Sequence, residues 1–212
     1  MPIRAVIFDV GGVILTSPFD AFARYEADNA LPDGLLRRLN ATNPDTNAWA
    51  RLERSEVDLA GFADLFEAEA REAGHTVDGR AVLALLGGQL RPQMVEALRR
   101  CHERLKTAML TNNFVIGAPP AEGERGTGPM AALLDHVDVV VESSRVGLRK
   151  PDPAIYRLVC EELGVEPLEA AFLDDLGVNL KPARALGMTT IKVGDPDAAI
   201  SELEAVVGFP LR

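Results

Sequence analysis

With 212 residues, 47% of them hydrophobic, the chain is long enough for one large domain, or for one core with a smaller lid. A formal net charge of −10 repels phosphate backbones, which sets nucleic acid aside as a partner. Two cysteines, Cys101 and Cys160, are too few for a disulfide framework and read as reduced, buried thiols.

The chain opens on MPIRAVIFD, a strand pattern with no basic leader ahead of a long apolar stretch. The apolar runs further along, such as Val137 to Val141, fall far short of a membrane span. A cytoplasmic location is the expectation. Five runs have strand length: Ala5–Phe8, Thr107–Leu110, Val137–Val141, Ala171–Leu173 and Thr189–Val193. Apolar residues at successive positions suit strands covered on both faces, hence a parallel sheet between helices. Helical periodicity fills the gaps at Pro92–Glu103, Pro153–Leu163, Leu180–Leu186 and Ala198–Val207. Pro92 and Pro153 stand near helix starts, and Gly164 and Gly187 near helix ends. The alternation predicts an α/β fold, a doubly wound parallel-sheet core.

One segment breaks the alternation. From about Asp20 to Leu86 the apolar spacing is helical throughout, at Phe19, Phe22, Ala23 and Tyr25, at Leu35, Leu36 and Leu39, and at Leu59, Phe62, Leu65 and Phe66. The expected division is a core of residues 1–16 and 87–212 and a small helical cap of residues 17–86 inserted after the first strand. The helices either pack on the sheet or form a lid over the strands' carboxyl ends, where open α/β sheets place ligands. The run Gly117–Met130, rich in Gly, Pro and charge, reads as a long surface loop.

Four polar clusters fall at strand ends: Asp9, then Thr111-Asn112-Asn113, then Lys150 within RKPDP, then Asp174-Asp175. Each alone has an ordinary explanation, as a turn, a helix cap or a solvated side chain. In a parallel sheet, however, all these ends share one edge. A carboxylate, a hydroxyl with amides, an ammonium and an acidic pair therefore converge on one crevice.

FDVGGV, LTNN, RKPDPAIY and FLDDLGVNLKPARALGM, in this order, resemble the motifs of the haloacid dehalogenase-like hydrolase superfamily. The fourth motif and the tail are especially similar to two of its subgroups. One is the phosphatase domain at the start of soluble epoxide hydrolases, and the other is the similar domain of acyl-CoA dehydrogenase family member 10. The resemblance implies a Mg²⁺-dependent phosphatase acting on a small organic phosphate through an aspartyl-phosphate on Asp9. It implies Mg²⁺ ligands from Asp9, the Gly11 carbonyl and Asp175, with Asp174 behind them or acting through water. It also implies phosphate binding by Thr111, by Lys150 and by the side-chain amide of Asn112, with Gly11 and Gly12 allowing close backbone approach. An aspartate is ionised at neutral pH and needs no base to attack.

The pattern departs from the family at Gly11, where most of its phosphatases carry a second Asp for general acid–base work, a contribution of about 10²–10⁴-fold. Good leaving groups, such as anomeric or acyl phosphates, or a proton from another group would compensate. Two other readings stay open: a phosphate-binding domain with impaired turnover, and a metal-independent 2-haloacid dehalogenase. The acidic pair Asp174-Asp175 weighs against the last, because uncompensated carboxylates facing Asp9 repel. Among smaller features, Asn179 is expected to tie its loop to backbone or to cap a helix. Trp49 is expected to pack the lid, with Arg51 and Arg54 nearby. His75, His102 and His136 show no metal spacing. Arg149 is expected to be a solvated side chain and Tyr156 a core residue.

Overall fold

The computed structural model describes residues 1–112 and 131–212. The expected loop at Gly117–Met130, together with Asn113, lies outside the described residues. Five strands, β1 (Ala5–Phe8), β2 (Lys106–Thr111), β3 (Val139–Glu142), β4 (Ala170–Asp174) and β5 (Thr189–Lys192), form one parallel sheet in the order β3-β2-β1-β4-β5. The α/β class expected from the alternating runs is what the chain adopts.

The continuous apolar runs follow from coverage of both faces. Val6 and Phe8 point to one layer, with Leu173, Ile191, Met94, Leu98 and Ile200. Ala5 and Ile7 point to the other, with Leu110, Phe172, Ile155, Tyr156 and Leu180. All four residues of β1 are fully buried. The chain lays β2 and β3 on one side of β1, then returns to lay β4 and β5 on the other. The direction of winding thus reverses between β1 and β4, the place where such sheets open a ligand crevice at their carboxyl ends.

Ten α-helices accompany the sheet among the described residues. Before β2 come α1 (Phe19–Asp28), α2 (Leu35–Ala41), α3 (Ala48–Glu53), α4 (Leu59–Glu72), α5 (Gly79–Ala84) and α6 (Pro92–His102). After β3 come α7 (Ser143–Val146), α8 (Pro153–Leu163), α9 (Gly177–Ala185) and α10 (Pro196–Val207). Helices α1 to α5 occupy the segment expected to be helical and have an apolar cluster of their own, including Phe22, Leu36, Trp49, Phe62 and Phe66. The chain enters and leaves this insertion side by side. Leu15 and Leu90 form an antiparallel bridge, Thr16 N–H donates to the Gln89 carbonyl at 2.8 Å, and Arg91 N–H donates to the Ile14 carbonyl at 2.9 Å.

Boundaries shift for local reasons. The third strand starts at Val139, not Val137, because Asp138 is used to close onto β2. Its N–H donates to the Thr107 carbonyl at 2.9 Å and its carboxylate accepts from Thr107 N–H at 2.7 Å. Helix α10 starts two residues before Ala198, since Asp195 caps it by accepting from Ala198 N–H at 2.8 Å and Pro196 suits the first turn. Helix α9 starts at Gly177, three residues before Leu180.

Candidate active site

Strand β1 delivers Asp9 beside Asp174 because the register pairs Phe8 with Leu173, and Asp9 N–H donates to the Leu173 carbonyl at 2.9 Å. Beyond Asp9 the chain makes one wide turn, closed by Leu15 N–H donating to the Val10 carbonyl at 2.8 Å. The two glycines in this turn have different reasons to be there. Gly12 has φ +77°, and a Cβ there would come within 2.2 Å of Asp175 Oδ2. Gly11 has φ −69° and ψ 128°, ordinary extended backbone, and a Cβ there would meet nothing within 4 Å. Gly12→Ala is therefore expected to cost at least about 1–2 kcal/mol from the left-handed backbone alone, with displacement of Asp175 added. Gly11→Ala is expected to be neutral or to stabilise by about 0.4–1 kcal/mol. Urea denaturation of the two variants checks the contrast. Arg91 steadies the turn by donating from Nη1 to the Gly12 carbonyl at 2.9 Å. Nothing in the sequence flags that contact, which joins residues 79 apart.

Lys150 lies at the centre. It is 2% exposed, and its Nζ stands 2.8 Å from Asp9 Oδ1 and 2.8 Å from Asp174 Oδ2. Asp9 Oδ1 also accepts from Val10 N–H at 2.7 Å. Asp174 is fully buried and saturated with donors. Besides Lys150 it accepts from Leu176 N–H at 2.7 Å and from Asn179 Nδ2 at 3.1 and 3.0 Å. The expected role of Asn179 is thus corrected: its side chain grips a carboxylate, not backbone, while its carbonyl accepts from the buried Tyr156 hydroxyl at 2.8 Å. Asp175 is more open, with Ser17 Oγ 3.5 Å from its Oδ2. Ser17 escaped notice in the sequence because it belongs to the exit into the insertion and to none of the four clusters.

Asn112 has a structural role that the sequence did not suggest. Its Oδ1 accepts from Lys150 N–H at 2.8 Å and its Nδ2 donates to the Lys150 carbonyl at 2.9 Å. The side-chain amide holds the lysine's main chain in place, using its oxygen and one of its two N–H donors. Thr111 ends β2 on the same sheet edge, half-buried, with no hydrogen bond to the carboxylates among the described residues. The structure therefore brings Asp9, Lys150, Asp174 and Asp175 into direct contact or close range, attaches Asn112 through Lys150, and leaves Thr111 at the end of β2 on the same sheet edge.

The electrostatics are dominated by negative charge in a buried place. Ligand oxygens of Asp9, Asp174 and Asp175 all lie within 4.8 Å of one another. Burial pushes the Asp9 carboxyl up to about 8, with Asp174 adding to the rise and Lys150 opposing it. Burial and Asp174 likewise raise Asp175 to about 6. Lys150 is raised by the two carboxylates against the effect of its own burial, so its ammonium is held in the charged form. Burial thus opposes the charged form of Asp9 and Lys150 favours it, so added positive charge would stabilise the carboxylate. An oxygen-only donor set with excess negative charge is what a hard divalent cation such as Mg²⁺ takes, so these residues fit such an ion.

The remaining expectations divide. Trp49 packs the insertion, with its ring centroid 4.6 Å from that of Phe62. Arg54 pairs with Glu56 at 2.6 Å, and Arg51 lies 3.8 Å from the same carboxylate. Arg149 is not a free solvated side chain: it pairs with Glu53 at 2.6 Å across to the insertion. His102 meets Thr107 Oγ1 at 2.9 Å, in keeping with a structural role. Cys101 and Cys160 are buried free thiols, pushed up to about 12 and about 11 by desolvation, which leaves them unreactive. No helix among the described residues is long and apolar enough to cross a membrane.

Comparison with known proteins places this geometry. The chain is 38% identical over 215 residues to mouse acyl-CoA dehydrogenase family member 10, covering 99% of the chain and 20% of that protein. It is 35% identical over 225 residues to bifunctional epoxide hydrolase 2 of Sus scrofa, covering all of the chain and 40% of that protein. The chain thus spans well under half the length of these two relatives. A Mycobacterium tuberculosis phosphatase is 33% identical over 199 residues, covering 89% of the chain and 86% of that protein. Among solved structures, a haloacid dehalogenase family enzyme of Bacteroides thetaiotaomicron in complex with magnesium and inorganic phosphate shares the fold. Its TM-score is 0.59 at 19% identity, covering 91% of this chain and 96% of that one. The family model for haloacid dehalogenase-like hydrolases matches residues 3–187, and with these relatives it shows that the chain belongs to the haloacid dehalogenase-like hydrolase family.

Proposed function

We propose that the chain is a Mg²⁺-dependent phosphatase acting on a small organic phosphate, with Asp9 as its nucleophile. The observation that carries this reading is the gathering of Asp9, Asp174 and Asp175 within 4.8 Å of one another, with the Lys150 ammonium paired to the first two. Similarity to the Mycobacterium tuberculosis phosphatase over most of both chains supports it. Asp9, Asp175 and the Gly11 carbonyl would hold the ion, with Asp174 behind them because its oxygens already accept from Lys150, Leu176 and Asn179. When bound, the ion supplies positive charge that offsets both the carboxylates and the phosphate.

The protein's own residues do the rest. Lys150 favours the ionised form of Asp9 and lowers the repulsion between it and the incoming phosphate. Asp9 attacks phosphorus, forming an O–P bond as the P–O bond to the leaving oxygen breaks, and that oxygen departs with the electron pair as an alkoxide or carboxylate that takes up any proton it needs from water. Water then attacks the aspartyl-phosphate at phosphorus, releasing inorganic phosphate and restoring Asp9. Thr111 offers its hydroxyl to the transferring oxygens from the end of β2. The helices of residues 17–86 act as a cap that shields the crevice from bulk water.

Gly11 favours a second reading, a phosphate-binding domain with slow turnover, because no carboxyl stands there to protonate a leaving oxygen. The test is turnover of a panel of phosphomonoesters and acyl phosphates. Removing divalent metal with EDTA is expected to lower the rate by about 10²-fold or more, and added Mg²⁺ to restore it. Turnover that ignores EDTA sinks the metal assignment. Binding of inorganic phosphate with no turnover of any panel member favours the second reading.

A further inference from the structure

The contacts between the insertion and the sheet edge include a polar clasp beside Lys150. Arg149, the residue before the lysine, donates from Nε to Glu53 Oε2 at 2.7 Å, and its Nη2 lies 2.6 Å from the same oxygen. Its Nη1 donates to the Pro44 carbonyl at 2.7 Å. Both charged side chains are largely withdrawn from water, at 14% and 13% exposure. Two further bonds fall at the same place: Ser143 Oγ donates to the Glu53 carbonyl at 2.7 Å, and Ser55 Oγ donates to the Ser144 carbonyl at 3.1 Å. A cleft of about 310 Å³ opens there, lined in part by Asp45, Arg54, Arg149 and Asp152.

Glu53 ends α3, whose Trp49 and Leu52 are anchored in the insertion's own apolar cluster. The carboxylate therefore travels with the insertion. Lys150 is held from both sides, by Asn112 on its own main chain and by Glu53 through Arg149. A guanidinium fork fixes direction as well as charge, and a lone buried charge is strongly disfavoured, so the pair resists separation.

We propose that Glu53 is a positioning residue for Lys150, acting through Arg149, so that the seating of the insertion sets the lysine's alignment with Asp9. The inference rests on the phosphatase reading for its kinetic arm only. Two readouts test it: steady-state hydrolysis of p-nitrophenyl phosphate with saturating Mg²⁺, and the rate of amine labelling at Lys150 followed by peptide mass spectrometry. Glu53→Gln is expected to lower kcat by about 10- to 100-fold with KM within about threefold, because misplacement of the order of an ångström is costly at a reacting centre. Labelling of Lys150 is expected to rise severalfold. Glu53→Gln combined with Arg149→Met leaves no buried charge unpaired. This double variant is expected to regain the wild-type unfolding midpoint but not kcat, which a merely structural role would not produce. Arg149→Lys is expected to retain more activity than Arg149→Met. Unchanged labelling in these variants, or unchanged kcat where the wild type is active, overturns the inference. A wild type that turns over neither p-nitrophenyl phosphate nor any member of the phosphomonoester and acyl phosphate panel, combined with raised labelling in Glu53→Gln, keeps the positioning role and overturns the phosphatase reading instead.

Discussion

Asp9→Asn is expected to lower turnover by about 10³-fold or more while leaving the protein folded, because it removes the nucleophile and little else. The amide is close to isosteric with the carboxylate, and its oxygen still accepts from Val10 N–H and from Lys150, which stand 2.7 and 2.8 Å from Asp9 Oδ1. Removing the charge also removes its repulsion with Asp174, which together with burial pushes Asp9 up to about 8. The unfolding midpoint is therefore expected to hold or rise as activity disappears. That divergence separates loss of chemistry from loss of fold. Activity that survives Asp9→Asn unchanged rules out Asp9 as the nucleophile, whatever the cation does.

Much of the fold was legible because burial on both faces writes itself as unbroken apolar runs. Each of the five runs became a strand, and their parallel pairing put Asp9, Thr111, Lys150 and the Asp174-Asp175 pair on one edge. What escaped was set by partners distant in sequence. Asn112 grips Lys150 across 38 residues, and Glu53 grips Arg149 across 96, and neither pairing has a local pattern. The short helices α3 and α5, of six residues each, carry too few turns for periodicity to show. Asp138 explains the misplaced start of β3: a polar residue inside an apolar run is drawn into bonding β2 and delays the ladder. The burial that opposes ionisation of Asp9 was not legible either, because sequence reveals which residue follows a strand, but not how completely its neighbours shut out water.

Gly11→Asp is expected to raise kcat/KM for alkyl phosphates by about 10²-fold or more, the range in which a positioned general acid–base group contributes. The backbone permits it: Gly11 has φ −69° and ψ 128°, and a Cβ there meets nothing within 4 Å. Gly12, one residue on, would not tolerate the same change, because its Cβ would strike Asp175. A carboxyl at position 11 would stand close to a site already crowded with carboxylates, and like charge disfavours its ionisation. That repulsion suits the role, since a group held protonated at neutral pH has a proton to give to a departing alkoxide and can then help activate the hydrolytic water. The gain is expected to depend on the leaving group. Acyl and aryl phosphates, whose leaving oxygens depart with little need of a proton, should gain far less than alkyl phosphates, so a plot of log kcat/KM against leaving-group pKa should flatten in the variant. An equal gain across the series would mean that the new carboxyl works through binding or metal affinity and not by proton transfer. A folded variant with no gain on alkyl phosphates would mean that proton supply is not the limiting step, and would favour the phosphate-binding reading of the domain.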